Sequence, residues 1–239
     1  MPMFTQQKWE DYVLGGIVLG YPIGHEVEGE HDMPCLARYS PEHFPDELVA
    51  FNDLSRAKSP SKSAIHFYKE DRLFARIASE PGRFTLTASP FQSVLTPDIS
   101  LSDKMPKWKR IENTVISRMC GVVWASQGLS VIPSLRWTGP EDYDFVAAGL
   151  AGSSTLAVSS YGIQRSDTGM RVFNEGLSHF VERLQPKNLM IFGSARDIPK
   201  RWIELGTNVR FYKPNQYASR TKVKAGNPLS DTDEISLFV

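Results

Sequence analysis

Residues 93–137 read SVLTPDISLSDKMPKWKRIENTVISRMCGVVWASQGLSVIPSLRW, and they hold one full period of the pattern that decides the fold. An apolar run at 93–101 reads as a strand ending in a Thr96-Pro97-Asp98 turn. Trp108, Ile111, Val115, Met119 and Val122 then recur at spacings of three, four, four and three, which is one face of a helix. Pro106 suits its first turn and Gly128 its end. A second apolar run, LSVIPSLRW at 129–137, reads as the next strand. Strand, helix, strand at this spacing is a crossover between parallel strands.

The same alternation extends both ways. Strands are expected at 65–68, 94–97, 131–135, 156–159, 189–192 and 209–212, with helices at 71–82, 106–128, 139–150 and 197–206. The clearest helix is expected from Asp167, its cap, through Met170, Phe173, Leu177, Phe180, Val181 and Leu184 to Pro186. Six parallel strands predict an α/β fold, an incomplete β/α-barrel-like sheet, with an open doubly wound sheet as the alternative. No GxGxxG or GxxxxGKS sequence follows the early strands, so a nucleotide-binding Rossmann reading lacks its main support. Residues 1–60, rich in Pro, Gly and His, read as an irregular arm with one short strand at 12–21; 61–215 is the α/β domain, and 216–239 a flexible tail.

Composition narrows the function classes. The 239 residues carry 27 Lys plus Arg against 27 Asp plus Glu, so no global field draws the chain to nucleic acid or lipid. Cys35 and Cys120 stand far apart without metal-ligand spacing, which argues against a disulfide framework or a zinc site and for a reducing cytoplasm. The N-terminus lacks a signal-peptide pattern, and no run approaches the ~20 apolar residues that span a bilayer. A cytoplasmic protein without metal, cofactor or membrane partner is the expectation.

In parallel α/β sheets ligands collect beyond the carboxyl ends of the strands. There stand His66 and Tyr68, Asp98, Arg136 and Trp137, Ser159, Ser160 and Tyr161, Gly193 and Ser194, and Tyr212. Asp98 reads as general base, nucleophile or hydrogen-bond acceptor, with a turn-capping aspartate as the alternative. Arg136 and Ser160 would orient a substrate, and Arg136 has a surface pair with Glu141 or Asp142 as its plainer role. Trp137 and Tyr161 could stack on a planar ligand, Trp137 equally covering the core. His66 is either a ligand contact or a satisfied half-buried histidine. Ser194 in FGSARD could hold an anion at a helix start. Lys104, Lys107, Lys109 and Arg110 around Trp108 form a basic cluster that could track DNA or nucleotide phosphates, or simply solvate a helix start.

Taken in order, SVLTPDISLSDKMP, an amphipathic helix, GLSVIPSLRW and TLAVSSYG resemble the family known as domain of unknown function 4417. The resemblance spans roughly residues 60–215 and rests on Pro97-Asp98-Ile99-Ser100-Leu101, on Val131-Ile132-Pro133 with Trp137, and on Ser159-Ser160-Tyr161-Gly162. It implies a bacteriophage or mobile-element origin and an α/β domain, and brings no activity with it.

Beyond Pro214 the periodicity stops, and the last residues, Glu234-Ile235-Ser236-Leu237-Phe238, resemble the peptide by which bacterial replication and repair proteins bind the sliding clamp. The usual glutamine is replaced by Glu234, which should weaken such binding; Ile235, Leu237 and Phe238 would be the anchors. A terminal strand docking on its own domain is the alternative. Two function classes follow. One is an enzyme acting on a nucleobase, nucleotide or DNA, by base modification or exchange, tethered to the replication machinery by its tail. The other is a non-catalytic protein that targets the host clamp or another replication protein.

Overall fold

The computed structural model describes residues 25–163, 166–193, 202 and 204–213. The expected strand at 12–21, most of the helix expected at 197–206, Ser194 and the whole tail with Ile235, Leu237 and Phe238 lie outside them.

A short antiparallel pair, β1 (Val27–Glu28) and β2 (Met33–Pro34), opens the described chain. Two four-stranded parallel sheets follow. The first runs β3 (Glu47–Ala50), β4 (Ser63–His66), β5 (Ser93–Leu95), β6 (Val131–Ile132); the second runs β7 (Ser134–Leu135), β8 (Thr155–Ser159), β9 (Asn188–Phe192), β10 (Asn208–Tyr212). The helices are α1 (Asp71–Ser79), α2 (Thr85–Ala88), α3 (Lys107–Ser126), α4 (Tyr143–Ala147) and α5 (Asp167–Leu184).

Pro133 joins the sheets. It has no N–H to give, so the ladder from 131–132 to β5 stops there, while its carbonyl accepts from Ala157 and the next two residues pair with β8. The orphaned Ser134 N–H finds the Thr96 hydroxyl at 2.9 Å. The order is therefore consecutive from β3 to β10 and all parallel, as in a β/α barrel. A doubly wound sheet would reverse its order midway. The sheet stays open, for β3 and β10 do not pair.

Alternation along the strands separates two cores. Ile65, Val94, Val131, Leu156, Val158, Leu189 and Ile191 face the helices with Phe67, Phe74, Trp124, Phe173 and Phe180. Ala64, Leu95, Ile132, Ala157, Met190 and Tyr212 face one another across the concave side. Tyr212 and Arg210 of β10 both donate to the Pro45 carbonyl, just ahead of β3, so the carboxyl half of β10 meets the amino end of β3.

Three expectations are revised. The stretch read as an irregular arm contains β3, paired in register with β4, and fully buried Met33 and Leu36. Trp108, assigned to the buried stripe of its helix, is 66% exposed, on the first turn of α3 beside exposed Lys107. Ser166, not Asp167, caps α5, its hydroxyl accepting from the Gly169 N–H at 3.1 Å.

Candidate functional site

The turn after β5 is pinned from two helices. On α3, Ser117 donates to the Pro97 carbonyl at 2.6 Å and Asn113 to the Ser100 carbonyl at 3.0 Å. On α1, Asp71 accepts both the N–H and the hydroxyl of Ser100. Held between these anchors, Asp98 is 9% exposed and faces Arg136, the first residue after β7, whose Nη1 donates to its Oδ2 at 2.6 Å. Burial raises the Asp98 pKa above the usual carboxylate range, and Arg136 pulls against that shift. The charge of Asp98 in turn raises the pKa of Arg136. A carboxylate with a raised pKa beside a fixed cation is equipped to accept a proton or a hydrogen bond from a ligand.

The pair borders a cavity of about 350 Å³, whose walls include Trp137, Ser159, Tyr161 and the first turns of α5 at Thr168 and Val172. Trp137 is fixed there: its Nε1 donates to the Val172 carbonyl at 3.1 Å and its ring stacks on Phe173 at 5.5 Å. Gly176 makes room for it, since a Cβ at that position would stand 2.1 Å from the indole nitrogen. Tyr161 is 61% exposed and also borders a second cavity, next to His66, Lys69 and Lys213.

The remaining candidates separate. Ser160 is fully buried and does not line the cavity; Ser159 does. Leu156 and Val158 already face the helices, so strand alternation turns Ser159, not Ser160, to the concave side. That signal was present in the sequence. His66 is buried, its Nδ1 accepts from the Tyr68 N–H at 3.1 Å, and burial with nearby Lys69 lowers its pKa to about 3. It is a neutral acceptor in an aromatic stack with Tyr68 and Phe192.

The basic cluster disperses as well. Lys104 and Lys107 are exposed, Lys109 pairs with Glu112 at 2.6 Å, and Arg110 is buried against Thr138, Glu141 and Asp142. Arg110 thus ties α3 to the turn that presents Trp137 instead of joining a phosphate-tracking face. Among the described residues no group of three or more His, Cys, Asp or Glu is placed to hold a metal, and no helix is long and apolar enough to cross a membrane.

Comparison with known proteins matches residues 25–212 to the family described as Domain of unknown function (DUF4417). The match begins well before residue 60 and takes in β3. Gene 1 protein of Mycobacterium phage L5 is 34% identical over 182 residues, 75% of this chain and 78% of that protein. Gene 1 protein of Mycobacterium phage D29 is 36% identical over 156 residues, 64% of this chain and 58% of that protein. No solved structure matches.

Proposed function

The chain belongs to the DUF4417 family, which has phage-encoded members, and from that premise we propose that its α/β body takes a polar heterocycle of the nucleobase or nucleotide class in the Asp98–Arg136 cavity. The observation that carries this reading is the ion pair of buried Asp98 with half-buried Arg136 at the strand carboxyl ends, opening on a cavity of ligand size with aromatic walls. Asp98 accepts a hydrogen bond or a proton from the heterocycle, Arg136 holds its charge from beside it, and Trp137 with Tyr161 border the space for the ring. The reaction class this suits is base modification or exchange, with Asp98 as the base. Calorimetric titration with free bases, nucleosides and nucleotides tests it. Saturable binding by one of these, weakened at least tenfold in Asp98→Asn, is expected; unchanged binding in that variant would remove the assignment.

The sequence of the tail supports a second role. Ile235, Leu237 and Phe238 follow three acidic residues within the preceding four positions and resemble a clamp-binding peptide. Burying side chains of this size is worth about 1.5–3 kcal/mol each, enough together for micromolar affinity. Leu237→Ala combined with Phe238→Ala should abolish binding to a purified bacterial sliding clamp, and Glu234→Gln should tighten it. No binding by the intact chain would end this role and leave the cavity reading untouched.

A further inference from the structure

The second cavity that Tyr161 borders has a different character from the first. It encloses about 90 Å³ between β3 on one side and Phe192 and Lys213 on the other, with His66 and Lys69 at the end of β4. Its carboxylates are already engaged. Asp53 pairs with Arg56 at 2.9 Å, and Glu47 accepts from the Lys58 N–H at 2.8 Å and the Ser63 hydroxyl at 2.9 Å. Lys69 and Lys213 remain, and among the described residues neither forms an ion pair. They reach the pocket from two separate strand ends, one after β4 and one directly after β10. Arg56 adds a third cation, already neutralised by Asp53. With Glu47 and Asp53 against Arg56, Lys69 and Lys213, the lining carries one net positive charge.

The two cavities are neighbours. Tyr161 stands on the boundary of both. Tyr68, which lines the smaller cavity, lies within the fields of Asp98 and Arg136, which line the larger one. Its hydroxyl is occupied with Ser134 at 3.1 Å, so it does not compete for a ligand there.

We infer that the smaller cavity is a phosphate subsite, in which Lys69 and Lys213 hold the terminal phosphate of a nucleotide whose base occupies the Asp98–Arg136 cavity. The chemistry favours a phosphomonoester. Two ammonium groups arriving from separate strand ends act as point charges that can each take one oxygen of a tetrahedral dianion, two charges against two. A pocket of this volume admits one tetrahedral group and not a ring with substituents. The base half rests on the function proposed above; the phosphate half stands on Lys69 and Lys213 alone.

Two measurements on the full-length chain test the halves separately. In the first, inorganic phosphate is titrated against the ¹⁵N-labelled protein, with chloride at matched ionic strength as the control. Saturable shifts of the Lys69, Tyr161 and Lys213 amides are expected, and Lys69→Gln combined with Lys213→Gln should weaken that binding at least tenfold. Both lysines are exposed, so the variant keeps its fold. In the second, calorimetry compares nucleoside 5′-monophosphates with the parent nucleosides. The monophosphate should bind at least tenfold tighter, and the double variant should erase that difference without weakening the nucleoside. Shifts no larger than those given by chloride, or equal loss of nucleoside and nucleotide, would overturn the subsite. Saturable phosphate binding without any nucleoside binding would keep the subsite and remove the base reading.

Discussion

The His66 imidazole lies 4.7 Å from the ring of Phe192, although β5, the β6–β7 strand and β8 stand between their own strands in the sheet order. Tyr68 meets the same ring at 4.9 Å. A flat sheet would hold β4 and β9 more than 15 Å apart, at ~4.8 Å per strand. The sheet therefore curls until its concave face closes on itself at the carboxyl ends, and that closure sets the larger cavity beside the smaller one. It also imprisons an imidazole.

That imprisonment has a pH signature. His66 has a folded pKa of about 3, far below its ordinary value of 6.5. Between those limits the unfolded chain binds a proton that the folded chain refuses. The His66 contribution is thus intact above pH 6.5 and is lost on acidification, at about 1.4 kcal/mol per pH unit. His66→Asn keeps an acceptor for the Tyr68 N–H but cannot titrate. Urea unfolding at pH 7, 6, 5 and 4 should show the variant gaining on the natural chain at about that slope below pH 6. Parallel curves would mean that the folded state protonates His66 freely.

Asp98 runs the other way. Its folded pKa is raised, chiefly by burial, so acid favours the folded state at this position and rising pH withdraws that support. Arg136 opposes the shift, and its removal leaves a buried carboxylate without a counter-ion. Arg136→Gln should therefore cost about 1–3 kcal/mol at pH 8, less than a fully buried pair because Arg136 is partly exposed. As the pH falls and Asp98 takes up its proton, the cost should shrink. A pH-independent loss would place the role of Arg136 in packing and not in charge.

How much of this was legible in the sequence follows from how local each signal is. All six expected strands are present and parallel, because apolar runs bounded by turns and separated by amphipathic helices depend only on neighbouring residues. β3 escaped notice: Glu47–Ala50 is four residues long between proline-rich turns, and only its pairing with β4 makes it a strand. Asp98 and Arg136 stood out as residues following strands, yet their mutual contact depends on the switch of partners at Pro133, which no local pattern announces. Trp108 carried the spacing of a buried residue. Periodicity gives the angle around a helix, and it is silent on whether that turn of the helix overlies the sheet. Lys69 and Lys213 were ordinary surface lysines until the curl of the sheet brought the ends of β4 and β10 to one pocket.

Gly176 offers a test of the cavity wall. Any side chain there collides with the Trp137 indole, which cannot withdraw while bonded to Val172 and stacked on Phe173. Gly176→Ala should then swing the indole out, at a cost of about 1–3 kcal/mol from overpacking. Near-ultraviolet circular dichroism should change, and binding in the Asp98–Arg136 cavity should fall with it. An unchanged aromatic spectrum would show that α5 shifts instead.

The middle of α3 holds the least expected charge in the protein. Arg118 is 1% exposed, and its Nη2 donates to the Val146 carbonyl at 2.7 Å, while Nη1 has no hydrogen-bond partner among the described residues. No carboxylate pairs with it there; burial lowers its pKa to about 9, and the nearby Cys35 only partly opposes that shift. A buried cation held by one carbonyl recovers little of its lost hydration, because it has no counter-charge and one hydrogen bond from a charged group is worth only about 1.5–3 kcal/mol. Methionine replaces the arginine stem, ends two atoms short of the terminal guanidinium nitrogens, and carries no charge to desolvate. Arg118→Met should therefore leave unfolding free energy unchanged or raise it by up to about 4 kcal/mol, the range seen when buried ion groups give way to apolar ones. The freed Val146 carbonyl subtracts about 1 kcal/mol from any gain. Urea denaturation with the slope held equal measures the difference. A loss above about 2 kcal/mol would show that the guanidinium is satisfied in solution, and chloride or phosphate dependence of that loss would identify an anion as its partner.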